Sequence, residues 1–182
     1  MRVRAVLAGD NDAFAVVVRQ FQSAIMTLVT LILRDRQAAM EVTQDVFVRA
    51  WRGLKSFDQT RPMKAWLMGI AYRVASDYQR QQATRAKKTR DAVAQGVPRS
   101  GQEQPLDALI ADEQSRILWK LVDSLPPGEQ IAVVLFYRDG LSVEQVAASM
   151  GVSPGTVKTS LFRARKHLHT MMQRPGMKCF GE

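Results

Sequence analysis

The sequence predicts an all-α protein of two small helical domains joined by a flexible linker. Apolar residues recur at every third or fourth position through most of the chain, the spacing of amphipathic helices. Residues 86–106 break this pattern with few large apolar side chains. Residues 141–168 contain two short helical patterns around a tight turn, as in a helix-turn-helix. We expect domains at residues 1–85 and 107–172, a linker at 86–106 and a tail at 173–182.

Positive charge is in excess and is distributed in bands along the 182 residues. The chain has 26 Lys and Arg residues against 17 Asp and Glu residues, a net charge of +9. Residues 59–90 hold eight basic residues and one acidic residue, and residues 130–182 hold seven and three. Residues 91–129 between them hold three basic and seven acidic residues. Two basic blocks separated by an acidic one indicate two contact surfaces for a polyanion such as nucleic acid.

The N-terminal domain is predicted to begin with two amphipathic helices. Residues 9–12 form a turn with a helix start, and apolar positions of helical spacing follow as far as Ile32. A break at residues 34–36 precedes a second helix, predicted from about Gln37 to Leu54. Phe47 and Trp51 form an aromatic row beside its apolar face. Polar side chains lie toward another side: Glu41, Gln44, Asp45 and Arg49. Such a face is either turned to water or, if the aromatic row is exposed, a docking surface.

A third helix is predicted from Met63 to about Gln82, after a loop that Pro62 closes. Its outer stripe combines cationic and hydroxyl side chains, with a tyrosine and an amide beside them: Arg73, Ser76, Arg80, Tyr72 and Gln79. Aromatic faces, positive charge and amides together suit an unstacked nucleic-acid base. For Trp66 internal packing is the expected role, as for most aromatic residues at helical spacing.

The C-terminal domain is predicted to contain helices at residues 107–125 and 130–138, followed by the helix-turn-helix. Ser142 and Gln145 form a capping box, Gly151 ends the first helix of the motif, and Ser153 with Pro154 begins the second. The second helix buries Val157, Leu161, Ala164 and Leu168. Its opposite side and flanks are basic or hydroxylic, apart from one aromatic ring: Thr156, Lys158, Thr159, Phe162, Arg163, Arg165 and Lys166. Because residues 153–168 contain no Asp or Glu, this face predicts DNA binding rather than simple solvation.

Several function classes find no support in the sequence. There is no phosphate-binding glycine loop, zinc-type Cys/His spacing or nucleophile–base set, so we expect no catalysis, metal or cofactor. His167 and His169 do not share a helix face and are expected to lie on the surface. The single cysteine, Cys179, suits a reducing compartment. With no secretory signal and a longest apolar run of ten residues, we expect a cytoplasmic protein without membrane insertion.

Three stretches in this order resemble the extracytoplasmic-function (ECF) sigma factors, small two-domain initiation subunits of bacterial RNA polymerase. Residues 40–57 (MEVTQDVFVRAWRGLKSF) are similar to the family's polymerase-clamp-binding helix. Residues 63–81 (MKAWLMGIAYRVASDYQRQ) are similar to its minus-ten-reading helix, and residues 125–168 to its minus-thirty-five-reading domain. Arg73 departs from the asparagine that is common in the family's minus-ten helix, and Ser160 from a common arginine.

The resemblance implies a role for each group of residues and for their partners. The polymerase clamp would contact or be supported by Gln44, Asp45, Phe47, Arg49 and Trp51. Unpaired bases of the minus-ten element would be captured by Arg61, Lys64, Arg73, Ser76 and Arg80. The minus-thirty-five duplex would be read by Thr156, Lys158, Thr159, Phe162 and Arg163, with Arg165 and Lys166 on phosphates. Core RNA polymerase and promoter DNA are therefore the implied partners, together with an inhibitory anti-sigma factor.

Two alternatives remain open from the residues alone. A stand-alone helix-turn-helix regulator would explain residues 141–168 but not the second basic helix. A basic protein that binds structured RNA would explain the charge without any promoter preference. Co-elution with core polymerase would distinguish a sigma factor from the stand-alone regulator.

Overall fold

The computed structural model describes residues 10–92 and 113–173. The chain divides into two compact units, residues 1–103 and residues 104–182. Within the described ranges every regular element is helical, which confirms the all-α prediction. The expected tail at 173–182 falls almost wholly outside the described residues, and so does the expected linker beyond residue 92.

The described part of the first unit contains the α-helices α1 (Asn11–Leu33), α2 (Arg36–Gly53) and α3 (Met63–Ala92), with a 3-10 turn at Leu54–Ser56 after α2. Asp10 caps α1 by accepting hydrogen bonds from the main-chain N–H groups of Asp12 and Ala13. Arg34 ends α1 in the left-handed region, with φ of 56°. Asp35 then caps α2 in the same way as Asp10 caps α1. The break predicted at residues 34–36 is therefore confirmed, and these local caps are its cause.

The three helices pack against one another in pairs around one apolar core. Helix α1 contributes a stripe at helical spacing that includes Val17, Phe21, Ile25, Leu28 and Ile32. The predicted inner positions of α2 are all buried: Ala39, Val42, Val46, Ala50 and Leu54. From α3 the core receives Leu67, Met68, Ile70, Ala71, Val74 and Ala75. Burial of these stripes is the main force that holds the unit together.

Helix α1 is the one element in the described part of the chain that is long and apolar enough to cross a membrane. The helix has 23 residues, and an 18-residue window within it has a mean hydropathy of 1.7. In the structure, however, the helix packs against both α2 and α3 through its buried stripe. This is the packing of a domain's core helix, which passes the same compositional test.

Helix α3 is longer than the sequence predicted. It continues past Gln82 to Ala92, so residues 86–92 of the expected flexible linker are helical. The stretch from 82 to 92 is rich in Ala, Lys and Arg, which have high helix propensity. Without large apolar residues this stretch has little to bury in a core. It can still extend α3, because adding residues to an existing helix is much easier than starting a new one. The predicted end of this helix at about Gln82 was therefore wrong, because the helix continues for ten more residues.

The second unit contains α4 (Glu113–Asp123), α5 (Pro127–Val133), α6 (Val143–Met150) and α7 (Pro154–Met172). A π-helical turn, Val134–Arg138, continues α5. Helix α5 begins three residues earlier than predicted because Pro127 serves as its first residue. Residues 107–112 of the predicted first helix lie outside the described residues. The core is formed by residues from every one of these elements, including Leu121, Val134, Leu135, Val146, Val157 and Leu161.

The helix-turn-helix is formed by α6 and α7, and its predicted boundaries are confirmed. Ser142 and Gln145 make both hydrogen bonds of the capping box. Gly151 adopts the left-handed conformation with φ of 68°, where glycine carries no Cβ penalty. Ser153 caps α7 by accepting from the N–H of Thr156 at 3.1 Å. Since α7 packs against both α5 and α6, one face of it is fixed to the scaffold and the other is presented outward.

Candidate nucleic-acid interface

The outer face of α7 is the clearest candidate interface. All seven side chains predicted for it are exposed: Thr156, Lys158, Thr159, Phe162, Arg163, Arg165 and Lys166. Phe162 has 64% of its surface exposed, although it is a large aromatic residue. Behind this face Val157, Leu161 and Ala164 are buried, as predicted, while Leu168 is half-buried. The helix therefore presents an outer surface without acidic residues that combines cations, hydroxyls and one aromatic ring.

Hydrogen bonds within α7 divide this face into committed and available groups. The hydroxyl of Thr159 donates to the carbonyl of Gly155 at 2.9 Å, and Nε of Arg165 donates to the carbonyl of Leu161 at 3.2 Å. Among the described residues, Arg163 and Lys166 have no ion-pair partner. The cations that can reach a base edge or a phosphate without breaking a contact are therefore near the middle of the helix.

His167 differs from its prediction as a simple surface residue. Its Nδ1 lies 2.7 Å from Oε2 of Glu129, which belongs to the first turn of α5. The Glu129 side chain is only 11% exposed, whereas that of His167 is 47% exposed. Within the described ranges, no group of three or more His, Cys, Asp or Glu residues could hold a metal ion. His167 thus forms a contact between helices.

The predicted minus-ten residues of α3 occupy its outer side, but their side chains are not equally available. Arg73 and Arg80 are exposed, and Ser76 is half-buried. Arg80 is held on its own helix by Asp77 at 2.5 Å and by the carbonyl of Ser76 at 3.4 Å. In the part of the chain that the structure describes, Arg73 forms no ion pair. Arg73 is accordingly the better placed of the two arginines for an external ligand.

Gln79 does not contribute to this outer stripe as the sequence suggested. Its side-chain amide donates a hydrogen bond of 2.9 Å to the carbonyl of Ile32, in the last turn of α1. The carbonyls of a final helical turn have no partner within the helix, so this bond satisfies one of them. The fold therefore uses the amide N–H of Gln79, an exposed residue, to join α3 to α1.

The loop before α3 holds its charges close to the main chain. Asp58 accepts hydrogen bonds from the hydroxyl of Thr60 at 2.6 Å and from its N–H at 3.0 Å, and these bonds lower the pKa of Asp58. The guanidinium of Arg61 lies 3.4 Å from the same carboxylate and is exposed. Lys64 is half-buried at the start of the helix. Arg61 therefore lies in the loop, two residues before the start of α3.

Trp66 packs internally, as expected. Its ring centroid lies 4.9 Å from that of Phe57, and the indole also lies close to Gly53. This aromatic contact connects the end of α2, the loop and the start of α3. It fixes the loop that carries Arg61.

The predicted polymerase-binding residues of α2 separate into a surface group and a supporting group. Gln44 and Arg49 are exposed, and Arg49 pairs with Asp45 at 2.9 Å. Trp51 is half-buried. Phe47, which the sequence placed in an aromatic row beside the apolar face of α2, is only 8% exposed. Its ring is covered by Phe14 of α1 at a centroid distance of 6.5 Å, so Phe47 supports the surface from beneath.

Two apolar side chains of α2 are exposed that the sequence analysis did not select. Met40 is 47% and Val48 46% exposed. Together with Gln44 and the half-buried Trp51 they follow one another at spacings of three and four, and Trp51 borders the buried part of α2 because its ring lies 4.9 Å from that of Phe14. We call Met40, Gln44, Val48 and Trp51 the outer stripe of α2. The sequence signal for this stripe was the presence of apolar residues, Met40 and Val48, outside the predicted inner positions of α2.

Family models match both units of the chain. The model of sigma-70 region 2 matches residues 17–85, and that of sigma-70 region 4 matches residues 115–168. The ECF RNA polymerase sigma-E factor of Escherichia coli K12 is 30% identical over 177 residues, which cover 94% of this chain and 92% of that protein. The chain belongs to the ECF sigma factors of the sigma-70 family. The sigma-E factor of Haemophilus influenzae is similar at 29% identity over 178 residues, with 94% and 93% covered.

Solved structures of sigma factors show the same fold. The sigma factor RpoE of Bartonella quintana, in complex with the anti-sigma factor NepR, matches with a TM-score of 0.68 at 23% identity. The match covers 90% of this chain and 98% of that one. CnrH in complex with the cytosolic domain of CnrY matches with a TM-score of 0.63 at 24% identity, over 93% and 94% of the chains.

Membership in this family establishes the overall function. The protein is a sigma factor, which binds core RNA polymerase and directs transcription initiation at promoter DNA. Sigma factors are initiation factors and not themselves enzymes. The region 2 match spans most of α1, all of α2 and α3 as far as residue 85, and the region 4 match ends within α7 at residue 168. The last turns of α3 lie outside both matches.

Proposed function

We propose that this sigma factor divides promoter recognition between three surfaces. The outer face of α7 reads the minus-thirty-five duplex, the Arg73 side of α3 captures the unpaired minus-ten strand, and the outer stripe of α2 binds the polymerase clamp. The observation that carries the first assignment is the outward face of α7, with seven exposed residues and no acidic side chain. In this proposal the sigma region 2 module comprises residues 1–85 and the region 4 module residues 107–172.

At the minus-thirty-five element α7 enters the major groove. Arg163 takes a guanine edge or a phosphate, and Phe162 contacts a thymine methyl group. Lys158 and Lys166 neutralise phosphates, and each such contact makes binding more sensitive to salt. Thr159 and Arg165 hold their helix carbonyls in the absence of DNA. They therefore exchange an internal hydrogen bond for one to the duplex.

At the minus-ten element α3 offers charge and a ring to a flipped base. The exposed guanidinium of Arg73 lies one residue from Tyr72, which is half-buried. An unstacked base gains about 1–3 kcal/mol from an aromatic platform, and arginine adds a cation–π contribution. Arg61 and Lys64 at the start of the helix contact the backbone of the same strand. Arg80 contributes after it is released from Asp77.

Polymerase supplies the geometry that makes these weak contacts act together. Each reader is a small surface on a separate unit, so each alone binds DNA poorly. Once the clamp holds the first unit, the second is tethered, and its local concentration reaches about the millimolar range. The protein does no covalent chemistry in this scheme, needs no cofactor or metal, and acts in the cytoplasm, where polymerase is.

An anti-sigma factor is the partner that would restrain it. One similar protein, the sigma factor RpoE of Bartonella quintana, was solved in complex with the anti-sigma factor NepR. An inhibitor that covers the outer stripe of α2 and the face of α7 would block both polymerase and DNA. The chemistry of the two surfaces favours an amphipathic, acidic inhibitor. Its apolar side chains would contact the outer stripe of α2, and its acidic side chains would pair with the cations of α7.

The experiment that tests the proposal starts with purified chain and core polymerase. Gel filtration is followed by run-off transcription on a library of randomised promoters, from which the preferred minus-ten and minus-thirty-five sequences are obtained. We expect co-elution and a preference at both elements. Tight duplex binding by the chain alone, without any co-elution, would instead describe a stand-alone helix-turn-helix regulator.

A further inference from the structure

The contact between Glu129 and His167 is a feature of the second unit that the proposed function does not use. The two residues are 38 positions apart and join α5 to α7 at 2.7 Å. Glu129 lies in the first turn of α5, and its carboxylate is 11% exposed. His167 follows Lys166 directly and lies one helical turn after Arg163. The buried carboxylate therefore touches the same helix that carries the candidate DNA-binding cations.

A carboxylate in this position needs a hydrogen-bond donor, because burial without a partner is costly for a charged group. Among the described residues, His167 is the side chain that contacts Glu129 across the helix interface. The imidazole N–H of His167 therefore satisfies the buried carboxylate and joins α7 to α5.

The contact also fixes the orientation of α7. The buried residues Val157, Leu161 and Ala164 anchor its first three turns, whereas Leu168 is only half-buried and the next residues are exposed or half-buried. A hydrogen bond from His167 therefore secures the helix where its apolar anchor weakens. Small rotations there would move Arg163 and Lys166 relative to the groove.

From these observations we infer that His167 is a positioning residue for promoter recognition. It holds the C-terminal half of α7 to α5 through its hydrogen bond to the Glu129 carboxylate, and this keeps Arg163 and Lys166 oriented toward the phosphates and bases. This inference rests on the proposed role of α7 in minus-thirty-five recognition.

The test uses the full chain with core polymerase on a promoter obtained from the randomised library. The readout is run-off transcription, with the minus-thirty-five element intact or scrambled. His167→Ala is expected to reduce initiation on the intact promoter by about tenfold, with a much smaller effect on the scrambled one. His167→Asn keeps a donor near the position of Nδ1 and is expected to restore initiation to within about twofold of the wild type.

A second variant tests whether the contact itself carries the effect. Glu129→Ala removes the acceptor and is expected to reduce initiation as His167→Ala does, with no further loss in the double variant. Additive losses in the double variant would overturn the inference. The same holds if His167→Ala behaves like the wild type while the unfolding transition is unchanged.

Arg163→Ala serves as the control for the proposed function itself. If Arg163→Ala has no effect on the intact promoter, α7 does not read the minus-thirty-five element and the proposed function fails. If Arg163→Ala reduces initiation but the histidine variants do not, the proposed function stands and only the role of His167 is refuted.

Discussion

The side-chain amide of Gln79 in α3 donates a 2.9 Å hydrogen bond to the main-chain carbonyl of Ile32 in the last turn of α1. The two residues are 47 positions apart in sequence. The bond joins the core helix of the first unit to the helix that carries the candidate minus-ten residues. It satisfies a carbonyl that the end of α1 leaves without an intrahelical partner.

Replacement of Gln79 by alanine should lower the free energy of unfolding by about 1 kcal/mol, the typical net value of one such hydrogen bond. Urea unfolding followed by circular dichroism measures the change. The matched control is Gln44→Ala on the exposed side of α2, for which we expect a change within about 0.5 kcal/mol. Equal effects of the two substitutions would mean that the bond to Ile32 does not stabilise the unit.

Local features of this fold could be predicted from the sequence. The caps at Ser142 and Ser153 and the left-handed stop at Gly151 depend on residues within one helical turn. The two faces of α7 follow from helical periodicity alone, and the seven predicted outer residues are all exposed. Periodicity similarly gave the buried positions of α2.

Contacts between distant residues could not be predicted in this way. Phe47 is buried because Phe14, 33 positions earlier, covers it, and periodicity within α2 contains no information about α1. The same reason applies to the amide of Gln79 and to the histidine contact of Glu129. The extension of α3 to Ala92 was missed because low hydrophobicity was interpreted as disorder, although helix propensity there is high.

Val48 and Phe47 are adjacent in α2, but substitution of Val48 should weaken polymerase binding whereas substitution of Phe47 should reduce stability. Val48→Asp alters the outer stripe at a side chain that is 46% exposed, so the fold should be retained while affinity for core polymerase falls at least tenfold, about 1.4 kcal/mol. Competition binding with labelled core polymerase gives the affinity, and circular dichroism gives the stability. Gln22→Ala, which is exposed on α1 and therefore outside the outer stripe of α2, is the control.

Phe47→Ala should instead destabilise the first unit by about 3–5 kcal/mol, as expected for loss of a buried aromatic side chain. Thermal unfolding measures this loss, and Phe14 should lose its edge contact at the same time. A variant that unfolds as the wild type does but fails to bind polymerase would place Phe47 on the surface after all.

The pKa of Asp58 should rise when its donors are removed. The hydroxyl and N–H of Thr60 hold the pKa below its ordinary value, so Thr60→Ala is expected to shift the pKa upward. Because the native pKa is the lower one, ionised Asp58 favours the folded loop above the unfolded-state pKa, and this contribution disappears as the pH falls through the native value. Carboxyl-detected NMR titration measures the shift. Thr84→Ala, whose hydroxyl bonds only to the carbonyl of Arg80, should leave Asp58 unchanged.

The turn of the helix-turn-helix depends on the backbone conformation of Gly151. With φ of 68°, an alanine at this position is strained by about 1–2 kcal/mol even though nothing lies within 4 Å of its Cβ. Gly151→Ala should therefore lower the melting temperature of the second unit. Gly128→Ala is the matched control, since it has equal space and no positive φ, and it should be neutral or slightly stabilising. Loss of stability in both variants would exclude the backbone explanation.

Arg163 and Lys166 should contribute to DNA binding in distinguishable ways, although both are exposed on the same side of α7. Arg163→Ala should cost about 1–3 kcal/mol of binding to the preferred minus-thirty-five sequence and relax selectivity at one base pair. Lys166→Ala should weaken binding almost equally on all sequences and reduce the slope of log K against log salt by about one. Holoenzyme binding to a panel of single-base promoter variants, measured at several salt concentrations, separates these outcomes. If Arg163→Ala changes the salt slope but not the base preference, its guanidinium contacts phosphate, and the base-reading residue must be found among its neighbours on α7.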